Sequence, residues 1–294
     1  MNIIYDTDMA ADVDDVGALA LLHTLADLGE AEILAAMVSS RNEHVVPCLN
    51  AINTYYGRPD IPIGSVNDGV KAESRYTKAV ADSFPHVIQS GSDVPDAARL
   101  YRKILADQPD GSVVIVSVGF LTNLKNLLQT EPDEYSDLGG VDLVREKVKL
   151  WVCMGGHFPE GKEYNIHTDA AASIIAVRDW PTPVVFSGYE IGHKIMTGKR
   201  LEGTPESNPV RAAYYHFNGL SNRESWDHSA VLYAVRGLRD YWDIGTGGYL
   251  HINQDGSNEW RTTTETQHSY LIEKMDPAEL AKIIEDLMLK PPKG

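Results

Sequence analysis

The amino-acid sequence predicts an α/β fold built on a doubly wound, mainly parallel open sheet. Short β-rich runs alternate with segments of helical period almost from the first residue. The runs are continuously apolar, which is typical of parallel strands covered by helices on both faces. Hydrophobic side chains make up 43% of the 294 residues and charged side chains 23%, so the composition is that of a folded protein with a large core.

Predicted strands and helices alternate along the first two thirds of the chain. The strands, all short runs rich in β-branched or apolar residues, are residues 3–5, 33–38, 61–64, 113–118, 148–154 and 183–186. The helices are residues 13–28, 45–56, 95–106, a segment that Gly119 opens, and residues 169–177, 210–217, 230–235 and 277–289. Residues 16–22 are apolar nearly all round, so the first helix is predicted to be buried, and Gly29 would cap its end.

The last third of the chain has a different character. From about Pro209 it contains helices, a Gly-rich hairpin region at residues 245–260 and the terminal helix. No repeat or linker sets this part apart, so residues 1–294 are predicted to form one domain. The long and weakly patterned loop at residues 69–92 is a candidate active-site lid or insertion.

The charge balance narrows the classes of partner. With 26 Lys and Arg against 42 Asp and Glu, the formal net charge of −16 argues against nucleic acids and anionic membranes as partners. No run approaches the ~18 apolar residues of a transmembrane helix. The first residues lack the pattern of a signal peptide, so a cytoplasmic location is expected. Cys48 and Cys153 lie in apolar segments and are expected to be buried free thiols.

A group of aspartates follows the first predicted strand within ten residues. They are Asp6, Asp8, Asp12, Asp14 and Asp15. Like charges this close repel one another unless a cation or a helix N-terminus compensates them, and open α/β sheets bind ligands at this end of their strands. The all-oxygen donor set favours a hard cation such as Ca²⁺ or Mg²⁺. One or two of these aspartates could instead be turn or helix-cap residues.

The segment DTDMAADVDDVGALA at residues 6–20 resembles the N-terminal signature of the inosine–uridine-preferring nucleoside hydrolases, Asp-x-Asp followed by Asp-Asp-Ala-x-Ala-Leu. Two extra residues separate Asp8 from Asp14, and Ala10-Ala11 replaces the common Pro-Gly or Ile-Gly. Later segments are similar to further motifs of the family, in the same order. They are Asn42, GFLTN at residues 119–123, MGG at residues 154–156 with Glu163 and Asn165, and Trp226-Asp227 in place of His-Asp.

The resemblance implies a nucleoside hydrolase fold and the Ca²⁺-dependent hydrolysis of the N-glycosidic bond of ribonucleosides to base and ribose. The implied Ca²⁺ ligands are Asp8, Asp15, Asp227 and the main-chain carbonyl of Val118. The implied catalytic residues are Asp8, as the base for the attacking water, and Asp14. The implied substrate contacts are Asp14 and Asn42 on ribose hydroxyls, Glu163 and Asn165 on the 5′ side, Met154, and Trp226 on the base. A homodimer or homotetramer is also expected from the family.

The sequence leaves open which group activates the leaving base. Trp226 stands where family members carry a histidine, and its indole cannot deliver a proton at neutral pH, although it could stack on the base. The candidate acids are His157, His228 and Glu190. Two other functions stay open. One is a Mg²⁺-dependent phosphatase of the haloacid-dehalogenase type, whose first strand also ends in Asp-x-Asp, and the other is a catalytically inactive riboside-binding protein.

Overall fold

A computed structural model describes residues 1–264 and 266–293. Its strands are β1 (Asn2–Thr7), β2 (Glu32–Arg41), β3 (Ile63–Lys71), β4 (Val113–Ser117), β5 (Val148–Met154), β6 (Glu160–Gly161), β7 (Val184–Ser187), β8 (Met196–Thr197), β9 (Arg223–Glu224), β10 (Trp242–Gly245), β11 (Gly248–Ile252), β12 (Asn258–Thr262) and β13 (His268–Glu273). Its helices are α1 (Asp14–Asp27), α2 (Val45–Tyr55), α3 (Thr77–Ser83), α4 (Ala97–Ala106), α5 (Thr122–Leu128), α6 (Gly140–Lys147), α7 (Tyr164–Thr168), α8 (Ala170–Asp179), α9 (Tyr189–Gly192), α10 (Pro209–Asn218), α11 (Trp226–Arg236) and α12 (Pro277–Met288).

The main sheet has eight strands in the order β10-β13-β7-β5-β4-β1-β2-β3. Strand β1 pairs in parallel with both β2 and β4, and β5, β7 and β13 extend the sheet in parallel beyond β4. Strand β10 forms one edge and pairs antiparallel with β13. The strand order reverses on either side of β1, which is the arrangement that opens a crevice at the carboxyl ends of the strands. The predicted doubly wound, mainly parallel open sheet is confirmed.

The sheet is covered on both faces because successive side chains of each strand point to opposite sides. Ile3 and Tyr5 belong to the apolar layer that also contains α1, α2 and α11, whereas Ile4 belongs to the layer that contains α4, α5 and α8. Cys48 and Cys153 are buried free thiols, as predicted. Among the described residues, no helix combines the length and the apolar character needed to cross a membrane.

Some boundaries differ from the sequence prediction. The predicted loop at residues 69–92 contains the end of β3 and helix α3, so part of it is regular structure. The helix after β4 begins at Thr122 and not at Gly119. A Cβ atom at Gly119 would lie 2.3 Å from the amide nitrogen of Asp8, so glycine is needed there to let the loops after β1 and β4 touch.

Strand β13 and helix α6 were not predicted from the sequence. Strand β13 mixes polar and apolar residues because most of its side chains are partly exposed, and its place in the main sheet comes from parallel pairing with β7. The predicted hairpin region is confirmed as the antiparallel pair β11 and β12. Strand β12 also pairs with β6, which brings the hairpin against the loop that follows β5.

Candidate active site

A cleft of about 320 Å³ opens at the carboxyl ends of β1, β4 and β5 and beside the N-terminus of α11. This is the edge at which open α/β sheets bind their ligands. The residues that line it are Asp8, Ala11, Asp12, Asp14, Asp15, Val118, Met154, Glu163, Tyr164, Asn165, Tyr189, Arg223, Trp226 and Asp227. Segments that lie far apart in the sequence therefore meet at one edge of the sheet.

Three buried carboxylates form the candidate metal site of the cleft. Asp14 and Asp15 lie in the first turn of α1, and Asp227 lies in the first turn of α11. One carboxylate oxygen from each lies within 4.8 Å of the other two, and each residue is at most 3% exposed. Burial and, next, the neighbouring carboxylates raise the pKa of all three. A hard divalent cation would remove this repulsion, so the donor set fits such an ion.

Asp8 lines the cleft directly beside these three carboxylates and is close enough to Asp15 for a side-chain hydrogen bond, although it is not among the three whose oxygens all lie within 4.8 Å of one another. It is 4% exposed, and burial raises its pKa to about 7. Asp15 accepts hydrogen bonds from the amide of Met9 at 3.0 Å and from the hydroxyl of Thr7. Met9 has a φ of 39°, a left-handed conformation that non-glycine residues rarely adopt. This turn at Met9 allows the carboxylates of Asp8 and Asp15 to line the same cleft.

The loop after β5 contributes polar side chains that face the carbonyl of Val118. The amide of Asn165 donates to the Val118 oxygen at 3.0 Å and lies 3.5 Å from the sulfur of Met154. Glu163 caps α7 and accepts hydrogen bonds from the backbone of Asn165 at 2.8 Å, of Ile166 at 3.1 Å and of Gly156 at 3.3 Å. Burial raises the pKa of Glu163 to about 7. A carbonyl oxygen has two lone pairs, so Val118 can accept this bond and still face a cation.

Aromatic and cationic side chains line another part of the cleft. The indole nitrogen of Trp226 donates to the carbonyl of Tyr189 at 2.8 Å, and the two rings lie 5.5 Å apart. The guanidinium of Arg223 lies 5.3 Å from the Trp226 ring and binds Asp12, whose oxygens both lie 3.0 Å from Nε. The terminal nitrogen Nη1 of Arg223 lies 2.8 Å from a carboxylate oxygen of Glu224. Asp12 also accepts a hydrogen bond from the amide of Val13 at 2.7 Å, and Val13, not Asp12, is the N-cap residue of α1.

Sequence reasoning missed Ala11, Tyr164, Tyr189 and Arg223 as lining residues. Two features of the sequence could have predicted Arg223 as a lining residue. It lies three residues before Trp226, and the carboxylate of Asp12 requires a positively charged partner. Tyr189 lies in α9, directly after β7, where no element was predicted from the sequence. Its place in the cleft results from the packing of α9 against α11, which no local pattern encodes.

Four of the sequence-predicted site residues lie outside the lining of the cleft. The amide of Asn42 donates to Ala72 at 2.8 Å and its oxygen accepts from the His44 backbone at 3.0 Å. The backbone of His157 donates to Asn258, and Glu190 accepts from the backbone of Phe158. His228 is fully buried, and a Cβ at Gly17 would lie 2.1 Å from its Nε2. Burial lowers the pKa of His228 to about 3, so its ring is neutral.

Asp6 is buried below the cleft and does not line it. Its carboxylate accepts from the Tyr101 hydroxyl at 2.8 Å and from the Asn123 amide at 3.2 Å. Burial raises its pKa from 3.8 to about 7, because these two bonds compensate only part of the lost hydration. Asp6 is therefore a structural carboxylate with a marked pH dependence.

We expect the substitution Asp6→Asn to flatten the pH dependence of stability. A carboxyl whose pKa is raised by folding costs the folded state free energy as the pH rises from about 4 to about 7, and that cost stays constant above pH 7. Between pH 5 and pH 8 this cost amounts to about 3 kcal/mol for Asp6. Urea unfolding of both proteins at saturating Ca²⁺ measures it. If the free energy of unfolding changed equally with pH in the variant and in the wild type, the raised pKa of Asp6 would be contradicted.

The model of the family "inosine-uridine preferring nucleoside hydrolase" matches residues 3–281. The chain belongs to this family. Membership confirms the predicted enzyme class, a hydrolase that acts on N-glycosyl bonds, and leaves the phosphatase alternative without support. No curated protein sequence matches the chain.

Solved structures with the same fold include several nucleoside hydrolases. A plant nucleoside hydrolase is 18% identical over 99% of both chains, with a TM-score of 0.73. An inosine-uridine preferring nucleoside hydrolase from Bacillus anthracis is 16% identical over 98% of both chains, with a TM-score of 0.70. The type III effector protein XopQ, complexed with adenosine diphosphate ribose, is 16% identical over 100% of this chain and 93% of its own, with a TM-score of 0.70. At these identities the likeness shows the nucleoside hydrolase fold.

Proposed function

We propose that this nucleoside hydrolase cleaves the N-glycosidic bond of ribonucleosides to free base and ribose, with Ca²⁺ as its metal ion. The cluster of Asp14, Asp15 and Asp227 carries the proposal, because three buried carboxylates within 4.8 Å need a cation and lie in a cleft wide enough for a small ligand. Carboxylate and carbonyl oxygens suit Ca²⁺, which accepts six to eight of them in flexible geometry. The carbonyl of Val118 is a further oxygen in this cleft.

The residues around the metal site have different roles in the proposed reaction. When bound, Ca²⁺ supplies positive charge that makes a nearby water more acidic. Asp8 takes the proton of the attacking water, since its buried carboxylate lines the same cleft directly beside the three carboxylates and burial raises its pKa to about 7. Asp14 belongs to the carboxylate cluster and in addition holds a ribose hydroxyl, and one of its oxygens is oriented by the backbone amide of Asp227 at 3.2 Å. Asp8 and Asp14 are thus the proposed catalytic pair.

The loop after β5 positions the 5′ side of the ribose. Asn165 donates its amide hydrogens to Val118 and towards Met154, which leaves its carbonyl oxygen for a substrate hydroxyl. Glu163 fixes the start of α7 through its backbone bonds and so fixes Asn165. Asn42 takes no part in this proposal, because both ends of its amide are already bonded.

We expect Asn165→Ala to lower kcat/KM for inosine by roughly threefold to tenfold, the effect of one neutral hydrogen bond. The loss should be smaller with 5′-deoxyinosine, which lacks the hydroxyl that Asn165 binds. Steady-state release of hypoxanthine from the two substrates, with one preparation of each protein, gives both values. An equal loss with both substrates would show that Asn165 does not bind the 5′ hydroxyl.

A screen of common nucleosides for free base and free ribose tests the function itself. We expect release of both products with Ca²⁺, loss of release after chelation with EGTA, and recovery when Ca²⁺ is restored. A parallel assay for inorganic phosphate from phosphoesters should give no product. Binding of ribosides without release of base would favour the catalytically inactive alternative; XopQ, an effector protein of this fold, is complexed with adenosine diphosphate ribose.

We further propose that residues 1–294 act as one domain in a cytoplasmic homodimer or homotetramer that serves nucleoside salvage. The net charge of −16 supports a small-molecule substrate over nucleic acid or membrane partners. Analytical ultracentrifugation of the Ca²⁺-loaded protein measures the assembly, and a monomer at micromolar concentration would contradict it.

A further inference from the structure

We propose that the remaining N–H donors of the Arg223 guanidinium stabilise the departing base by hydrogen bonding, in place of a side-chain acid that would protonate it. This inference rests on the proposed nucleoside hydrolysis and names the group that handles its leaving base. Among the described residues that line the cleft, Arg223 is the one with a positive charge. A guanidinium stays protonated under all working conditions, so it can donate hydrogen bonds but does not transfer a proton.

The cleft has a polar part and an aromatic part, and the aromatic part is the one that suits the base of a nucleoside. The carboxylates Asp8, Asp14 and Asp15, together with Asn165, form its polar part, which suits the ribose. Tyr189 and Arg223 both lie against Trp226, and these three side chains form a flat and cationic part of the lining in which Arg223 is paired with Asp12. A heterocyclic base has flat π faces and edge acceptors, so this second part suits it.

The guanidinium is held rigidly and still has donors to offer. Nε and one hydrogen of Nη2 bind Asp12, and Nη1 faces Glu224 at 2.8 Å. Of the five N–H bonds of an arginine, one on each of Nη1 and Nη2 is left for a ligand. The rings of Trp226 and Phe217 lie 5.3 Å and 5.7 Å from the guanidinium carbon and restrict it further. Donors that are already in place when charge develops stabilise it most effectively.

The other candidate acids are less well placed for this role. His157, His228 and Glu190 lie outside the lining, and His228 is fully buried behind α1. In the proposed step the C1′–N bond breaks and its electron pair stays on the base nitrogen. The oxygen of water bonds to C1′, and one water proton passes to Asp8 and then to solvent. The base leaves as an anion, stabilised by Arg223, and takes a proton from solvent, so charge and atoms balance.

Kinetics with two leaving groups test this role. Inosine has a poor leaving group that needs stabilisation, whereas 4-nitrophenyl riboside releases a stable phenolate that does not. We expect Arg223→Gln to lower kcat/KM for inosine by roughly 10²- to 10³-fold, as the loss of one preorganised donor does in other enzymes. The loss with the nitrophenyl substrate should be less than tenfold. Arg223→Lys keeps the positive charge but loses the forked set of N–H donors. Its kcat/KM for inosine should therefore lie between the values of the wild type and of Arg223→Gln.

A matched control is available in the same chain. Arg236 makes a comparable two-contact ion pair with Glu30, at 2.8 Å and 2.7 Å, outside the cleft, and Arg236→Lys should leave the ratio of the two substrates unchanged. Equal losses with both substrates in the Arg223 variants would mean a structural role only and would overturn the inference. A wild-type protein that releases no base from any nucleoside would instead defeat the proposed function, so the two failures are distinct.

Discussion

Replacement of Asp227 by asparagine is expected to lower kcat/KM for nucleosides by at least roughly 10³-fold and to weaken Ca²⁺ binding in parallel. The carboxylate supplies one of the three converging oxygens, and metal ions provide several kcal/mol of stabilisation in such reactions, with each ~1.4 kcal/mol corresponding to a factor of ten. Asparagine has nearly the same size, and the backbone amide that donates to Asp14 is retained. Release of base and calorimetric titration with Ca²⁺ measure the two effects.

Stability separates the loss of a metal ligand from simple misfolding. In the metal-free protein the pKa of the Asp227 carboxyl is raised, first by its burial and next by the neighbouring Asp14 and Asp15, so this group costs the folded state free energy. Metal-free Asp227→Asn should therefore unfold at a higher temperature than metal-free wild type. Asp169→Asn is the matched control, because Asp169 caps α8 outside the cleft and asparagine caps a helix equally well. Unchanged Ca²⁺ affinity in Asp227→Asn would contradict the proposed metal site.

Asp8→Asn is expected to lower kcat by roughly 10²- to 10⁴-fold, the usual contribution of a general base. Its effect on Ca²⁺ affinity should be smaller than that of Asp227→Asn, because Asp8 is not among the three carboxylates whose oxygens lie within 4.8 Å of one another. Single-turnover release of base at saturating Ca²⁺ isolates the chemical step from metal binding. A fall in Ca²⁺ affinity as large as in Asp227→Asn would make Asp8 a metal ligand and leave the base unassigned.

The sequence was sufficient for the fold class because burial leaves a strong local signature. Strands β1, β4 and β5 are covered on both faces and therefore appear as continuous apolar runs, which predicts parallel strands and places polar residues at their carboxyl ends. Strand β13 was missed because its side chains are mostly partly exposed. Its membership of the sheet depends on hydrogen bonds to β7, which connect segments more than eighty residues apart and have no local pattern.

The sequence likewise predicted one part of the candidate site and not the other. The aspartates of residues 6–15 could be found by their density, since five like charges in ten residues are unstable without compensation. Their individual roles could not, because Asp6 turns inward to Tyr101 and Asp12 outward to Arg223, while Asp14 and Asp15 meet Asp227. Which carboxylate faces the cleft is decided by the left-handed turn at Met9 and the first turn of α1.

The sequence by itself thus determined the α/β class, the end of the sheet that binds ligand and the hard-cation character of its donors. These properties depend on residue type and spacing along one stretch of chain, and local physics fixes them. The tertiary structure alone decided that Arg223 and Tyr189 join the cleft and that His157, His228, Glu190 and Asn42 do not line it. Such membership depends on the packing of α9 and α11 over the sheet, where small shifts of a backbone decide which side chain is buried and which one faces the ligand.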